Sequence, residues 1–329
     1  MSRLNELRMI ARIAQMYHVE GRRQSEIARH LHMSQATVSR MLKKALEEEI
    51  VRTTIIAPSG TYGELETALR ERFRLAEAIV VECSEDRDGP VMARIGEAAA
   101  HFMETTLQSD EIIGVSSWSE TILRMVDNIH PLKTCKAKYV VQTLGGMGNP
   151  AVQIHATQLT AKLAKLTGAE PRLLTSQGVA QSREAKLVIL GDPYVRETME
   201  LFGRISLAII GIGAVEPSSM LARSGNVFSA NELADLAEAG AVGDMSLRFF
   251  DHNGRTIRTP LDERVIGISL EELSRVERVV GLAGGESKTE AIVGALHTGI
   301  LDVLITDKFT AKRLLAVASA APAPEEIKP

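Results

Sequence analysis

Cysteine is nearly absent from this chain: Cys83 and Cys135 stand far apart, with no partner motif around either. That excludes a disulfide scaffold and a CxxC metal or redox site, fits a reducing compartment, and leaves both thiols as small core residues. Aromatic residues make up only 4% of the sequence, so Ala, Val, Ile and Leu must do most of the packing. No apolar run approaches the ~20 residues that span a bilayer. Charges at Arg3, Glu6 and Arg8 fall where a signal peptide would carry its apolar segment. The eight histidines show no metal-ligand spacing. No G-x-S-x-G nucleophile elbow occurs. Gly211-Ile212-Gly213-Ala214-Val215-Glu216 is half a dinucleotide fingerprint, but Glu216 stands where the third glycine belongs, which argues against a nicotinamide role. These absences predict a soluble, cytoplasmic protein with no metal, no cofactor and no membrane partner.

What is present divides the chain. The 329 residues suggest about two domains. Residues 1–52 carry ten Lys/Arg against six Asp/Glu, and the remainder 28 against 36, so a small basic segment precedes an acidic body. Within the basic segment, Leu4, Leu7, Ile10, Ile13, Ala14 and Tyr17 recur at helical spacing. A second short helix follows over Gln24–Leu31, with Ile27, Ala28 and Leu31 on one face. His32-Met33-Ser34 reads as a turn, and Ser34 as the N-cap of a third helix from Gln35 to about Glu48, with Val38, Met41, Leu42, Ala45 and Leu46 inward. Two helices joined by so short a turn form a helix-turn-helix. A three-helix bundle without a nucleic-acid role has the same periodicity; the outer face decides. Gln35, Ala36, Thr37, Ser39 and Arg40 offer the side chains that read base edges in the major groove of double-stranded DNA. Lys43, Lys44, Arg22 and Arg23 suit phosphates, which position without specifying. The β-branched stretch Glu49–Ile56 reads as a strand, the wing of a winged helix. The first domain is thus expected over residues 1–57.

From residue 58 to 329 short apolar runs alternate with helical patterns. The runs centre on Ile79, Ile113, Val140, Leu173, Ile209, Val279 and Leu304. Nearly continuous apolar strands between helices mean a buried, mostly parallel sheet, so the fold class is α/β. Ligands bind such sheets outside the carboxyl ends of the strands. The loops there are Ser116-Ser117-Trp118-Ser119, Gln142-Thr143-Leu144-Gly145-Gly146-Met147-Gly148-Asn149, Gly211-Ile212-Gly213, and Gly281–Lys288, the last of which puts a cation at a helix start. Gly and Ser are common in any strand-to-helix turn; several such loops on one edge point to one pocket for a polyhydroxylated, anionic ligand. The Ala/Pro-rich C-terminus, residues 320–329, reads as a frayed tail.

Together, Glu26-Ile27-Ala28 through Ser34-Gln35-Ala36-Thr37-Val38-Ser39-Arg40, then Gly114-Val115-Ser116, Leu144-Gly145-Gly146, Gly211-Ile212-Gly213, Gly243-Asp244 with Arg248-Phe249-Phe250-Asp251, and Leu304-Ile305-Thr306-Asp307, resemble the SorC family of bacterial sugar-responsive transcription regulators over nearly the whole chain. The resemblance implies an effector domain similar to the ribose-5-phosphate isomerase and CoA-transferase type. It implies a phosphorylated sugar or sugar alcohol as effector and a homodimer or homotetramer on operator DNA. Carried onto this chain, Ser116, Ser117 and Ser119 would form the anion loop, and Asp244 and Lys288 would hold hydroxyls or phosphate. Trp118 departs from the glycines relatives carry there; an indole shrinks the pocket or stacks on a sugar face. Gln142-Thr143-Leu144 lacks the Schiff-base lysine of some relatives, so binding is expected to be noncovalent. The rival is a sugar-phosphate isomerase or deaminase with a basic N-terminal extension; against it, Asp244, Glu286 and Lys288 offer no evident acid/base pair.

Overall fold

A computed structural model describes residues 3–51, 58, 60–133, 135–146, 150–215 and 228–320. The chain divides into two compact units, Met1–Pro58 and Ser59–Pro329.

The first unit holds three helices, α1 (Arg3–His18), α2 (Gln24–His30) and α3 (Gln35–Glu47). Ile10, Ile13, Ala14 and Met16 of α1 meet Ile27, Ala28, Val38, Leu42 and Ala45 in a closed core. That core reaches only the middle of α1. Leu4 and Tyr17, at its two ends, remain 57% and 38% exposed, as does Leu46 at 50%, although the apolar spacing predicts all three inside. The tight turn between α2 and α3 puts His32 in the left-handed region at φ 53°. Ser34 caps α3 as its sequence predicts, its Oγ accepting from the Thr37 N–H at 3.1 Å. The expected wing strand is not found over Glu49–Val51: Glu49 takes φ 53° and the Val51 N–H returns to the Ala45 carbonyl at 3.0 Å, so the chain still wraps the end of α3. Residues 52–56 of that expected strand lie outside the described residues.

The second unit runs α4 (Gly63–Phe73), β1 (Glu77–Val81), α5 (Asp88–Thr106), β2 (Ile112–Val115), α6 (Glu120–Asn128), β3 (Tyr139–Gln142), α7 (Pro150–Thr167), β4 (Glu170–Arg172), α8 (Arg183–Leu190), α9 (Pro193–Glu200) and β5 (Leu207–Gly211). It continues through β6 (Gly213–Ala214), α10 (Ala230–Glu238), β7 (Ala241–Met245), β8 (Arg248–Asp251), α11 (Leu270–Leu273), β9 (Arg278–Leu282), α12 (Thr289–His297), β10 (Val303–Asp307) and α13 (Lys308–Ala320). Seven strands form one sheet in the order β1-β10-β9-β5-β2-β3-β4, with every neighbouring pair parallel. Both faces are covered, as a parallel sheet requires. Along β5, Leu207 and Ile209 enter the core shared with α5, α6 and α7, while Ala208 and Ile210 enter the core on the opposite face.

Because all seven strands run one way, their carboxyl ends open on a single edge. There the chain builds an unforeseen antiparallel sheet, β6-β7-β8, with its own core of Trp118, Leu144, Phe228, Leu247, Phe249 and Val265. Arg248 staples it: the guanidinium donates to the Asp262 carboxylate at 2.7 Å and to the carbonyls of Asp262, Val265, Gly267 and Ile268 at 3.0–3.4 Å. Among the described residues no helix is long and apolar enough to cross a membrane.

Candidate functional site

In the first unit, α3 presents a polar outer face. Gln35, Ala36, Ser39, Arg40 and Lys43 are exposed. Thr37 is half-buried and shares its hydroxyl with Ser34 Oγ at 2.8 Å, with Arg40 Nη2 reaching the same oxygen at 3.5 Å. Thr37 and Arg40 are therefore partly held in place by contacts within the helix and its cap. The expected phosphate contacts divide. Lys43 only brushes Glu47 at 3.9 Å, whereas Lys44 is bound to Glu6 of α1 at 2.5 Å, a pairing that raises the lysine pKa and lowers that of the glutamate. Lys44 thus ties α3 to α1. Arg22 pairs with Glu20 at 2.8 Å, and the Arg23 backbone N–H is accepted by Glu26 at 3.1 Å, while both side chains stay exposed.

In the second unit, a cavity of about 80 Å3, open to solvent, lies between the carboxyl edge of the parallel sheet and the antiparallel sheet. Of the predicted effector residues, Ser116, Trp118, Ser119, Gly211, Gly213, Asp244 and Lys288 line it. Asp244 lies inside β7, opposite Gly213, not in the turn that follows a glycine. Its Oδ2 accepts the Leu247 N–H at 2.8 Å, and a Cβ on Gly213 would stand 2.1 Å from its Oδ1. Gly211 plays the same part for Ser119, whose Oγ would lie 2.7 Å from an added Cβ. The glycines are there because side chains from neighbouring elements fill the space.

The other predicted residues are spent on the fold. Ser117 is fully buried and bonds Thr160 at 2.9 Å; Gln142 donates to the Leu144 carbonyl at 2.8 Å. Gly145 packs against Gln177, and Gly146 bridges to the same residue. None of these four lines the cavity, and Asn149 lies outside the described residues. Ser119 lines the cavity, but its oxygen caps α6 by accepting the Ile122 N–H at 3.3 Å. At the cavity the expected anion loop therefore keeps the hydroxyl of Ser116 and the hydroxyl hydrogen of Ser119, whose oxygen only accepts in the cap. Trp118 forms a wall and spends its indole N–H on the Gly145 carbonyl at 3.1 Å, which pins the loop after β3.

Among the lining residues not read from the sequence, two bear on the chemistry of the cavity. Glu120, in the first turn of α6, lines the cavity and lies 3.4 Å from Arg124 one turn along the helix. Ser246 is buried, and its Oγ has no hydrogen-bond partner. Ser246 and Leu247 form the two-residue turn between β7 and β8, both in the left-handed region at φ 55° and 60°. That geometry normally calls for Asn or Gly, so the turn is strained where it meets the cavity. The signal was available: a two-residue gap between short runs ending at Met245 and starting at Arg248.

Charge in the cavity is concentrated. Burial pushes the Asp244 carboxyl up to about 6, against the Leu247 hydrogen bond and the Lys288 charge, which pull it down. Burial also lowers Lys288, against the pull of Asp244, Asp88 and Glu120. With a value of about 6, most of the Asp244 population is a carboxylate at neutral pH, and it stands with the Lys288 amine in an arrangement suited to accepting from and donating to hydroxyl groups.

Comparison with known proteins now bears on the whole chain. A family model for a sugar-binding domain, Sugar-bind, matches residues 59–316. The deoxyribonucleoside regulator of Bacillus subtilis is 30% identical over 302 residues, covering 92% of this chain and 95% of the relative. The full-length sorbitol operon regulator SorC of Klebsiella pneumoniae superposes with a TM-score of 0.70 at 28% identity, covering 94% of this chain and 98% of that one. The sugar-binding domain of the transcriptional regulator DeoR from Pseudomonas syringae pv. tomato is 41% identical at a TM-score of 0.62, covering 78% of this chain and all of that domain.

Proposed function

The chain belongs to the SorC family of transcription regulators, and from that premise we propose that α3 reads operator DNA while the cavity around Asp244 binds a small carbohydrate that controls the reading. One observation carries the effector half: Asp244, Lys288 and an unpartnered Ser246 hydroxyl converge on one cavity at the carboxyl edge of the sheet. In this reading residues 1–57 are the DNA-binding domain and 58–329 bind the effector and join the subunits. Gln35, Ala36, Thr37, Ser39 and Arg40 meet base edges; Arg22, Arg23 and Lys43 meet phosphates.

Control follows from linkage. A homodimer or homotetramer places two α3 helices at a fixed spacing, and both insert only if their half-sites lie about one helical turn or a multiple apart. An effector that binds two packings of the subunits unequally shifts operator affinity, by ~1–3 kcal/mol in typical couplings. The regulated genes would belong to carbohydrate uptake or breakdown in the cytoplasm. We read the chain as a regulator and not as an isomerase, because its full-length relatives are named regulators.

The test is binding of the full-length protein to the DNA upstream of its own gene, at fixed salt, titrated with sugars, polyols and their phosphates. Salt is held because phosphate contacts make affinity strongly salt-dependent. A compound that shifts sequence-specific binding establishes the reading. Absence of any specific DNA binding, or turnover of a sugar phosphate, refutes it.

A further inference from the structure

Of the motif Leu304-Ile305-Thr306-Asp307, no residue lines the cavity. Asp307 ends β10, fully buried, and its two carboxylate oxygens have different partners. Oδ1 caps α13, accepting the N–H groups of Phe309 at 2.9 Å and Thr310 at 3.0 Å. A helix cap requires no more than that. Oδ2 turns to the loop after β9, the neighbouring strand, where it accepts the Gly285 N–H at 3.3 Å and, from α13, the Thr310 hydroxyl at 2.5 Å. The Thr310 Oγ1 accepts the same Gly285 N–H at 2.8 Å and Arg313 Nη2 at 3.4 Å. A carboxylate only accepts, so the one hydrogen of the Thr310 hydroxyl goes to Asp307 and its lone pairs serve Gly285 and Arg313. Arg313 in turn is held by the Asp86 carboxylate at 2.6 and 3.1 Å.

The loop is shaped for this clamp. A Cβ on Gly284 would collide with the Asp307 Oδ2, and Gly285 stands at φ 99°, a conformation that side chains disfavour. At the other end of the clamped residue, the Gly285 carbonyl accepts the Lys288 N–H at 3.3 Å. One residue therefore links the buried Asp307–Thr310 pair to the backbone of Lys288, which lines the cavity together with Asp244. We propose that Asp307 and Thr310 are positioning residues for the effector: by fixing Gly285 they set where Lys288 stands, and so set effector affinity without touching the effector.

The proposal rests on the sugar-effector reading above, and two readouts on the full-length protein separate their fates. The first needs no effector: the rate at which acetic anhydride acetylates Lys288, followed by mass spectrometry, with the exposed Lys162 of α7 as internal reference. Thr310→Val keeps the N–H that Asp307 Oδ1 accepts and removes the hydroxyl that holds Gly285. It should speed acetylation of Lys288 about threefold or more, the weight of a lost hydrogen bond, and Thr310→Ser, which keeps the hydroxyl, should return it to the original rate. The second readout is the emission of Trp118, the only tryptophan of the chain, which lines the cavity and so reports its occupancy. The titrants are sorbitol, deoxyribose and their phosphates. For a titrant that binds, Thr310→Val should weaken affinity about fivefold. Thr310→Ser should restore it, and Thr310→Val should add little to the loss caused by Lys288→Met, because both changes act through one group. Asp307→Asn, whose remaining oxygen can still cap α13, is the second variant and should move both readouts the same way. Lys288 acetylation or effector affinity unmoved by these variants, or a Thr310→Val loss that adds in full to that of Lys288→Met, overturns the proposal and leaves the sugar-effector reading standing. If no titrant moves the emission or the DNA binding, both fall together.

Discussion

A methyl group at Gly213 would stand 2.1 Å from the Asp244 carboxylate, so Gly213→Ala must displace the group on which the site depends. The expected outcome is a loss of effector affinity of tenfold or more, read by Trp118 emission, with operator binding by the free protein retained. Asp244 also sets a pH dependence whose sign follows from its environment. Burial raises it from 3.8 to about 6, so the native state holds the proton more tightly than the unfolded chain. Its contribution to stability is then fullest below pH 4 and is lost as pH rises through 6. Effector affinity runs the opposite way, because hydroxyls bind the ionised form: it should be flat above pH 7 and fall by up to about tenfold per unit below 6. Asp244→Asn should remove that slope, abolish the response, and raise the unfolding midpoint measured at pH 7.5. A rise in affinity on acidification would contradict this account.

Among the elements, α3 carries the proposed readers and part of the frame on one surface. Arg40→Ala and Gln35→Ala should each cost ~1–3 kcal/mol of operator affinity and relax one base position, while Lys43→Ala should weaken all sequences alike and lower the salt slope by about 1. Lys44→Ala should instead loosen the packing of α1 on α3, seen as faster amide exchange along α1, because its partner is Glu6. Arg248 serves β8 in a similar way, and Arg248→Ala, which strands Asp262 and four carbonyls, should cost ~3 kcal/mol or more in chemical unfolding. These elements also mark how much could be read in advance. Six of the seven parallel strands were legible because their runs are mostly apolar; β4, Glu170-Pro171-Arg172, is polar and ends just before Leu173, on which the expected run centred. The β6-β7-β8 sheet was not legible, because Gly213, Gly243 and Asp244 lower strand propensity, and their placement is paid for by contacts far away in sequence. Glycine and serine loops pointed to the edge of the sheet where the cavity opens. They could not say that Ser117 would bond Thr160 or that Gln142 would serve Leu144, since those partners are chosen by tertiary packing.

For the whole molecule, two compact units, each with its own core residues, predict two unfolding events. An effector at 100 times its Kd should stabilise the second unit by ~2.7 kcal/mol and leave the first transition in place, which differential scanning calorimetry with and without ligand would show. A single transition that moves as one would refute independent units. The placement of Glu120 has a wider consequence. Asp244 is locked by Gly213 beneath it and Leu247 beside it, so any lineage that alters it loses the regulator. Glu120 sits on an open helical turn with one weak partner. Its replacement changes the charge that lines the cavity without disturbing what holds the cavity together. On the proposed reading, the compound sensed can therefore change by one mutation while operator and fold persist, and a new metabolite can inherit an old promoter.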